Sequence, residues 1–158
     1  MFDNSLIPLS FVGGPAILAN TCAVLQNGVN MRYSHAVDQW RRFQASSVDH
    51  DDRLAVLYSD PAAALRLSGQ RLRLQLRELE LLVVGSSAFG VATFLALVWS
   101  LLLMIGSPAA NPAAALTLAC GSIGLLVLLS VAVELLRESR CARALMRLHL
   151  QPELCALA

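Results

Sequence analysis

The chain has 158 residues, 56% of them hydrophobic and 15% charged, with a formal net charge of +1 at pH 7, and its mean hydropathy is +0.61. An ordinary soluble domain is roughly 45 to 50% apolar with glycine included, so this composition excludes one and points to a single small membrane domain. The small net charge hides an asymmetry. All 12 basic residues are arginines. Arg32, Arg41, Arg42, Arg53, Arg66, Arg71, Arg73 and Arg77 fall between the first and second apolar stretches, and Arg137, Arg140, Arg143 and Arg147 follow the third. Such a bias places the arginine-bearing segments in the cytoplasm and the N-terminus outside. Either base satisfies that rule, so the absence of lysine reads as a compositional habit of the source genome rather than a selection for guanidinium groups.

In chain order, the first span is expected at about residues 6–26. It is the weakest of three, interrupted by Gly13, Gly14, Pro15, Asn20 and Thr21, and only just reaches the roughly 20 apolar residues that cross a core about 30 Å thick. Pro15 is expected to start or kink the regular helix, because it lacks an amide proton. Met1 to Asn4 carry an acid and no base, so a cleavable signal peptide is not expected. A cytoplasmic helix over about 27–45 follows, with Val29, Tyr33, Val37 and Trp40 on one stripe and Arg32, Asp38, Arg41 and Arg42 off it. Ser46 to Pro61 reads as a loop with an acidic run and an apolar run from Leu54 to Tyr58.

Asp60 followed by Pro61 predicts a helix start, an N-cap residue with proline at the first helical position. The helix over about 61–80 carries Leu65, Leu72, Leu76, Leu79 and Val83 on one stripe and feeds the second span, about 81–105. Alternation over Arg71 to Leu76 would suit a strand, but its residues are strong helix formers. Gly106-Ser107-Pro108 ends that span, and Trp99 lies about one turn before the end, where aromatic belts occur. A short uncharged turn through Asn111-Pro112 leads to the third span, about 113–133, antiparallel to the second. A last cytoplasmic helix, about 134–150, has Leu135, Ala142, Leu145 and Met146 on its apolar side and ends at Gln151-Pro152. The expected fold is therefore all-α, an integral membrane protein of three transmembrane helices with cytoplasmic helical extensions.

Several constellations stand out. Asn20, Asn27, Ser34 and Arg41 recur every seven residues, a polar seam suited to helix-to-helix contact or, less simply, to a ligand or ion path. Ser86 and Gly90, and Cys120 and Gly124, form small-residue notches through which helices approach closely. Glu134 borders an apolar run; with Arg137 one turn later, a solvated or paired interfacial acid is favoured over a proton relay. Asp49-His50-Asp51-Asp52 lacks the glycine and distal glutamate of a calcium loop. Four cysteines without a CxxC pair support neither a disulfide framework nor a metal centre. No catalytic motif occurs, so neither an enzyme nor a cofactor is expected. Arginines beside a membrane suit anionic lipid, whereas ten acids on the same side leave no basic field for nucleic acid.

The order of these features resembles a bacterial family of small membrane proteins, domain of unknown function 2721. The likeness rests on Pro15-Ala16 in the opening span, the stretch from Asn27 to Arg32 continuing to Arg41-Arg42, the leucine-rich charged helix over Leu72 to Leu82, two close spans, and Glu134-Leu135-Leu136-Arg137. It covers most of residues 6–150. The chain departs from it at Asn30-Met31-Arg32, which Tyr33-Ser34-His35 follows instead of an arginine-rich helix. The resemblance implies a multi-span protein of the bacterial inner membrane, with no catalytic residue to carry over. Expected partners are lipids and other integral membrane proteins, or further copies of the chain, through Asn20, Asn27, Arg32, Tyr33, Trp40, Arg41, Ser86, Gly90, Gly124, Glu134 and Arg137. The expected role is a non-catalytic accessory or assembly subunit of a respiratory or photosynthetic complex. The alternative is a small oligomeric channel or carrier.

Overall fold

A computed structural model describes the backbone of residues 6–48, 58 and 60–156, and the side chains of residues 12–45, 58 and 60–148. Three long helices make up the described chain: α1 (Leu6–Val48), α2 (Pro61–Met104) and α3 (Ala110–Ala156). The acidic run Asp49 to Asp52, and the apolar run before Tyr58, lie outside the described residues.

Local chemistry sets the helix ends. Asp60 caps α2 as its sequence predicts: the Ala63 amide donates to Asp60 Oδ1 at 2.9 Å, and the Ala64 amide to Asp60 O at 3.0 Å. At the other end Gly106 adopts a φ of 65°. There the Gly106 amide reaches Leu103 O at 3.1 Å and the Ser107 amide Leu102 O at 3.0 Å. This is a Schellman turn, which needs a left-handed residue just past the helix. Ser107 opens α3, accepting from the Ala109 amide on Oγ and from the Ala110 amide on its carbonyl.

Three sequence expectations are corrected here. Pro15 lies inside α1 rather than starting it. The third helix begins at Ala110, taking Asn111-Pro112 into its first turn, where proline's missing donor costs nothing. It also runs through Gln151-Pro152 to Ala156, since a proline there removes one hydrogen bond while its neighbours remain good helix formers.

The chain divides into two compact units, Met1–Asn27 with Glu80–Val131, and Gly28–Leu79 with Ala132–Ala158. In the first, α2 buries Leu82, Gly85, Phe89, Ala92 and Ala96, and α3 buries Ala113, Thr117, Gly124 and Val131. The alternating steps of three and four along α2 are the spacing of a heptad seam. A Cβ on Gly85 would meet Val127 and Cys22, and one on Gly124 would meet Phe89. Position 85 faces 127 while 89 faces 124, so α2 and α3 run antiparallel as expected. The outward residues are large and apolar, among them Phe94, Leu97, Leu101, Leu118, Ile123 and Leu126.

Helices α2 and α3 are each long and apolar enough to cross a membrane, with 18-residue windows of mean hydropathy 2.2 and 2.4 that are only 28% and 17% buried. The core helix of a soluble protein would bury most of such a window. Among the described residues, α1 has no stretch that apolar, because Gly13, Gly14, Pro15, Asn20, Gln26 and Asn27 dilute it. Two helices, not the expected three, meet the requirement for a span.

In the second unit Val29, Ala36 and Phe43 of α1 are buried seven residues apart. Phe43, Tyr58, Ala64 and Leu145 form an apolar cluster, in which the Phe43 and Tyr58 rings meet edge to face at 5.4 Å. Burial raises the Tyr58 hydroxyl above its ordinary range, against a hydrogen bond with Gln39.

Candidate functional site

The rest of the second unit's interior is polar. On α2, Gln75 and Glu78 occupy seam positions just before Leu82; on α3, Glu134 and Glu138 continue the spacing that runs from Val131 to Leu145. Side chains on that spacing point to one face of a helix, so the acids are carried inward with the apolar residues around them. Gln75 and Glu78 are fully buried, and Glu138 and Glu134 are 3% and 8% exposed.

Glu138, on α3, gathers donors from both of the other helices. Arg32 Nη1 of α1 donates to its Oε2 at 3.0 Å. Arg71 Nε and Gln75 Nε2, both of α2, donate to its Oε1 at 3.1 and 2.6 Å. Charge-assisted bonds of this kind are roughly twice as strong as neutral ones, and three of them offset much of the cost of burying the carboxylate. Glu134 has less support. Its Oε1 accepts from Arg137 Nη1 at 3.2 Å, and its Oε2 is buried without a hydrogen-bond partner.

Neither oxygen of Glu78 meets a hydrogen-bond partner, nor does Gln75 Oε1. Glu78 lies outside the apolar stretch over 81–105, at its N-terminal edge. Burial, followed by the nearby Glu138 charge, pushes its carboxyl from 4.5 up to about 7; Arg32 opposes the rise and Glu134 adds to it. An isolated carboxylate in a low-dielectric interior is costly enough that such a group takes up a proton instead. Among the described residues no group of three or more His, Cys, Asp or Glu side chains is arranged to hold a metal ion.

The expected site residues separate into three sets. Arg32, Glu134 and Arg137 belong to this network. Glu134 is paired as expected, but it is buried rather than solvated, because α3 turns it toward the unit's interior. Tyr33 and Trp40 are half-buried on the inner side of α1, with the Trp40 indole nitrogen 3.9 Å from where a Gly69 Cβ would stand. Asn20, Asn27, Ser34 and Arg41 are all exposed. They sit two positions from Cys22, Val29, Ala36 and Phe43, a rotation of about 200°, so their seam points away from the buried face. It glues no helices together within the chain.

The notch reading holds in part. Gly124 is the close-packed glycine, but Gly90 faces open space and Ser86 is only half-buried. Within the apolar part of α2 the glycine that meets its neighbours is Gly85, one residue before the expected pair.

Sequence reasoning passed over Arg71, Gln75, Glu78 and Glu138 as members of a site. Their signal was present: Gln75, Glu78, Leu82, Gly85, Phe89, Ala92 and Ala96 share one seam, which a search for apolar residues alone does not register. No protein-family model, no curated protein and no solved structure matches the chain.

Proposed function

We propose that this is a non-catalytic protein of the bacterial inner membrane that acts by association, as an accessory or assembly subunit of a larger membrane complex. In this reading α1 also crosses the bilayer, held by α2 and α3, with the N-terminus outside and the arginine-bearing segments in the cytoplasm. The likeness to the bacterial family of small membrane proteins belongs to the same proposal. One observation carries it. Asn20 and Asn27 are exposed on the same face of α1, in a unit whose surface is otherwise largely apolar. A buried amide partner on another helix would stabilise such a side chain by roughly 0.6 to 2 kcal/mol, so that face favours a neighbouring protein over lipid.

The test is purification of the full chain in mild detergent, alongside Asn20→Leu. The expected outcome is a stoichiometric membrane-protein partner, or a second copy, that the substitution weakens. A chain that runs alone as a monomer in both forms overturns the proposal.

The same exposed amides favour a second reading, an oligomeric channel or carrier whose path they line. Reconstituted vesicles separate the two: a flux that Asn20→Leu abolishes selects transport, and no flux in either form removes it.

A further inference from the structure

We propose that Glu78, Glu134 and Glu138 form a proton-binding site, in which a single proton held on Glu78 supplies a hydrogen-bond donor that this buried cluster lacks. Three carboxyls from two helices are enclosed here, and three guanidiniums face them: Arg32 from α1, Arg71 from α2 and Arg137 from α3. These cations are not shared evenly. Arg32 and Arg71 both bind Glu138, and Arg137 binds Glu134. Glu78 is left with no cation bonded to it, although it is the most deeply buried of the three.

The unpartnered atoms complete the argument. Glu78 Oε1, Glu78 Oε2, Gln75 Oε1 and Glu134 Oε2 are all buried acceptors without a donor. Gln75 already reaches into the cluster through its amide nitrogen, which binds Glu138, and its oxygen is the atom left over. A carboxylate offers only acceptors, so an ionised Glu78 would add to the imbalance; a protonated one supplies a donor that the set lacks. Gln75 Oε1 and Glu134 Oε2 are the buried acceptors still open in this group. When the proton leaves, it passes to water, and Glu78 remains as a carboxylate beside the Glu134 and Glu138 charges. With two of the three guanidiniums bonded to Glu138, that form is disfavoured while the unit stays closed.

This inference does not depend on the association role. It is tested by infrared spectroscopy of the full chain in lipid vesicles, with carbon-13 glutamate separating its carboxyl stretch from that of aspartate. At about pH 6, exposed glutamates are ionised. Wild type is expected to retain a carboxylic-acid band there that disappears by about pH 8.5, with a midpoint near 7, as a desolvated carboxyl should. Glu78→Gln is expected to lose the band, and the exposed control Glu80→Gln to keep it. No glutamic-acid band in wild type at about pH 6, where an unperturbed carboxyl has already lost its proton, overturns the proposal. A band that survives Glu78→Gln overturns it as well. Should that variant fail to fold, the wild-type titration decides alone.

Discussion

Arg32 and Glu138, 106 positions apart in the sequence, meet at 3.0 Å between Nη1 and Oε2, with 43% and 4% of their side chains exposed. The difference in exposure fixes which partner matters more. Removing Glu138 strands Arg71 and Gln75 as well as Arg32, whereas removing Arg32 leaves Glu138 two donors. Glu138→Leu is therefore expected to destabilise the chain by about 3 to 5 kcal/mol, the usual cost of breaking a buried pair from one side. Arg32→Leu is expected to cost about 1 kcal/mol or less, as its solvent-facing side screens the pair. Denaturant titration in detergent micelles measures both, and an equal or reversed ranking contradicts the account.

The Glu78 carboxyl makes stability depend on pH in a definite direction. Its folded value, about 7, stands above the unfolded 4.5, so the folded chain binds the extra proton between those limits. The contribution is fully present below about pH 4.5 and is lost as the pH rises through 7. Thermal midpoints of wild type should fall across that window more steeply than those of Glu78→Gln, which has no proton to lose. Parallel profiles for the two chains count against a buried, uncompensated Glu78.

Glycines of α2 and α3 offer a test of packing. A Cβ on Gly124 would stand 2.8 Å from Phe89 Cε1, whereas one on Gly90 meets nothing within 4 Å. Overpacking typically costs about 1 to 3 kcal/mol, which is the expected loss for Gly124→Ala. Gly90→Ala should be neutral, or stabilising by up to about 1 kcal/mol through helix propensity. Helical circular dichroism followed during denaturation distinguishes the pair.

Both ends of α2 are expected to be sensitive. Asp60→Ala removes the acceptor of the Ala63 amide and should cost about 1 kcal/mol. Gly106→Ala forces a side chain onto a φ of 65° and should cost about 1 kcal/mol. Hydrogen exchange at Ala63 and Ser107 should quicken in the respective variants, and unchanged protection would show that these caps do not hold the ends.

These ends were legible in the sequence because they depend on neighbours a few residues away: Asp60 with Pro61, and glycine at position 106. Helix was likewise readable from the residue types over Arg71 to Leu76. The buried face of α2 was not. Leu76 and Val83, on the apolar stripe read from the sequence, are 41% and 48% exposed, while Gln75 and Glu78 are fully enclosed. On a helix long and apolar enough to cross a membrane, large apolar residues lie on both faces, so hydrophobic periodicity loses its power to tell inside from outside. Arg71 and Gln75 of α2 instead bond a carboxylate on another helix, a long-range partner that no local pattern displays. The polar seam of α1 has the same limit: the spacing was real, but only the fold could say that it faces outward.

The single acceptor at Glu138 also has a temporal meaning. It lies in α3, which is synthesised after the helices that bear Arg32 and Arg71. Until that carboxylate has left the ribosome, both guanidiniums lack it as an acceptor, and the helices that bear them lack the bonds that join them to α3. The second unit can reach its full hydrogen bonding only after α3 is in place, which delays its completion until both apolar segments have been made.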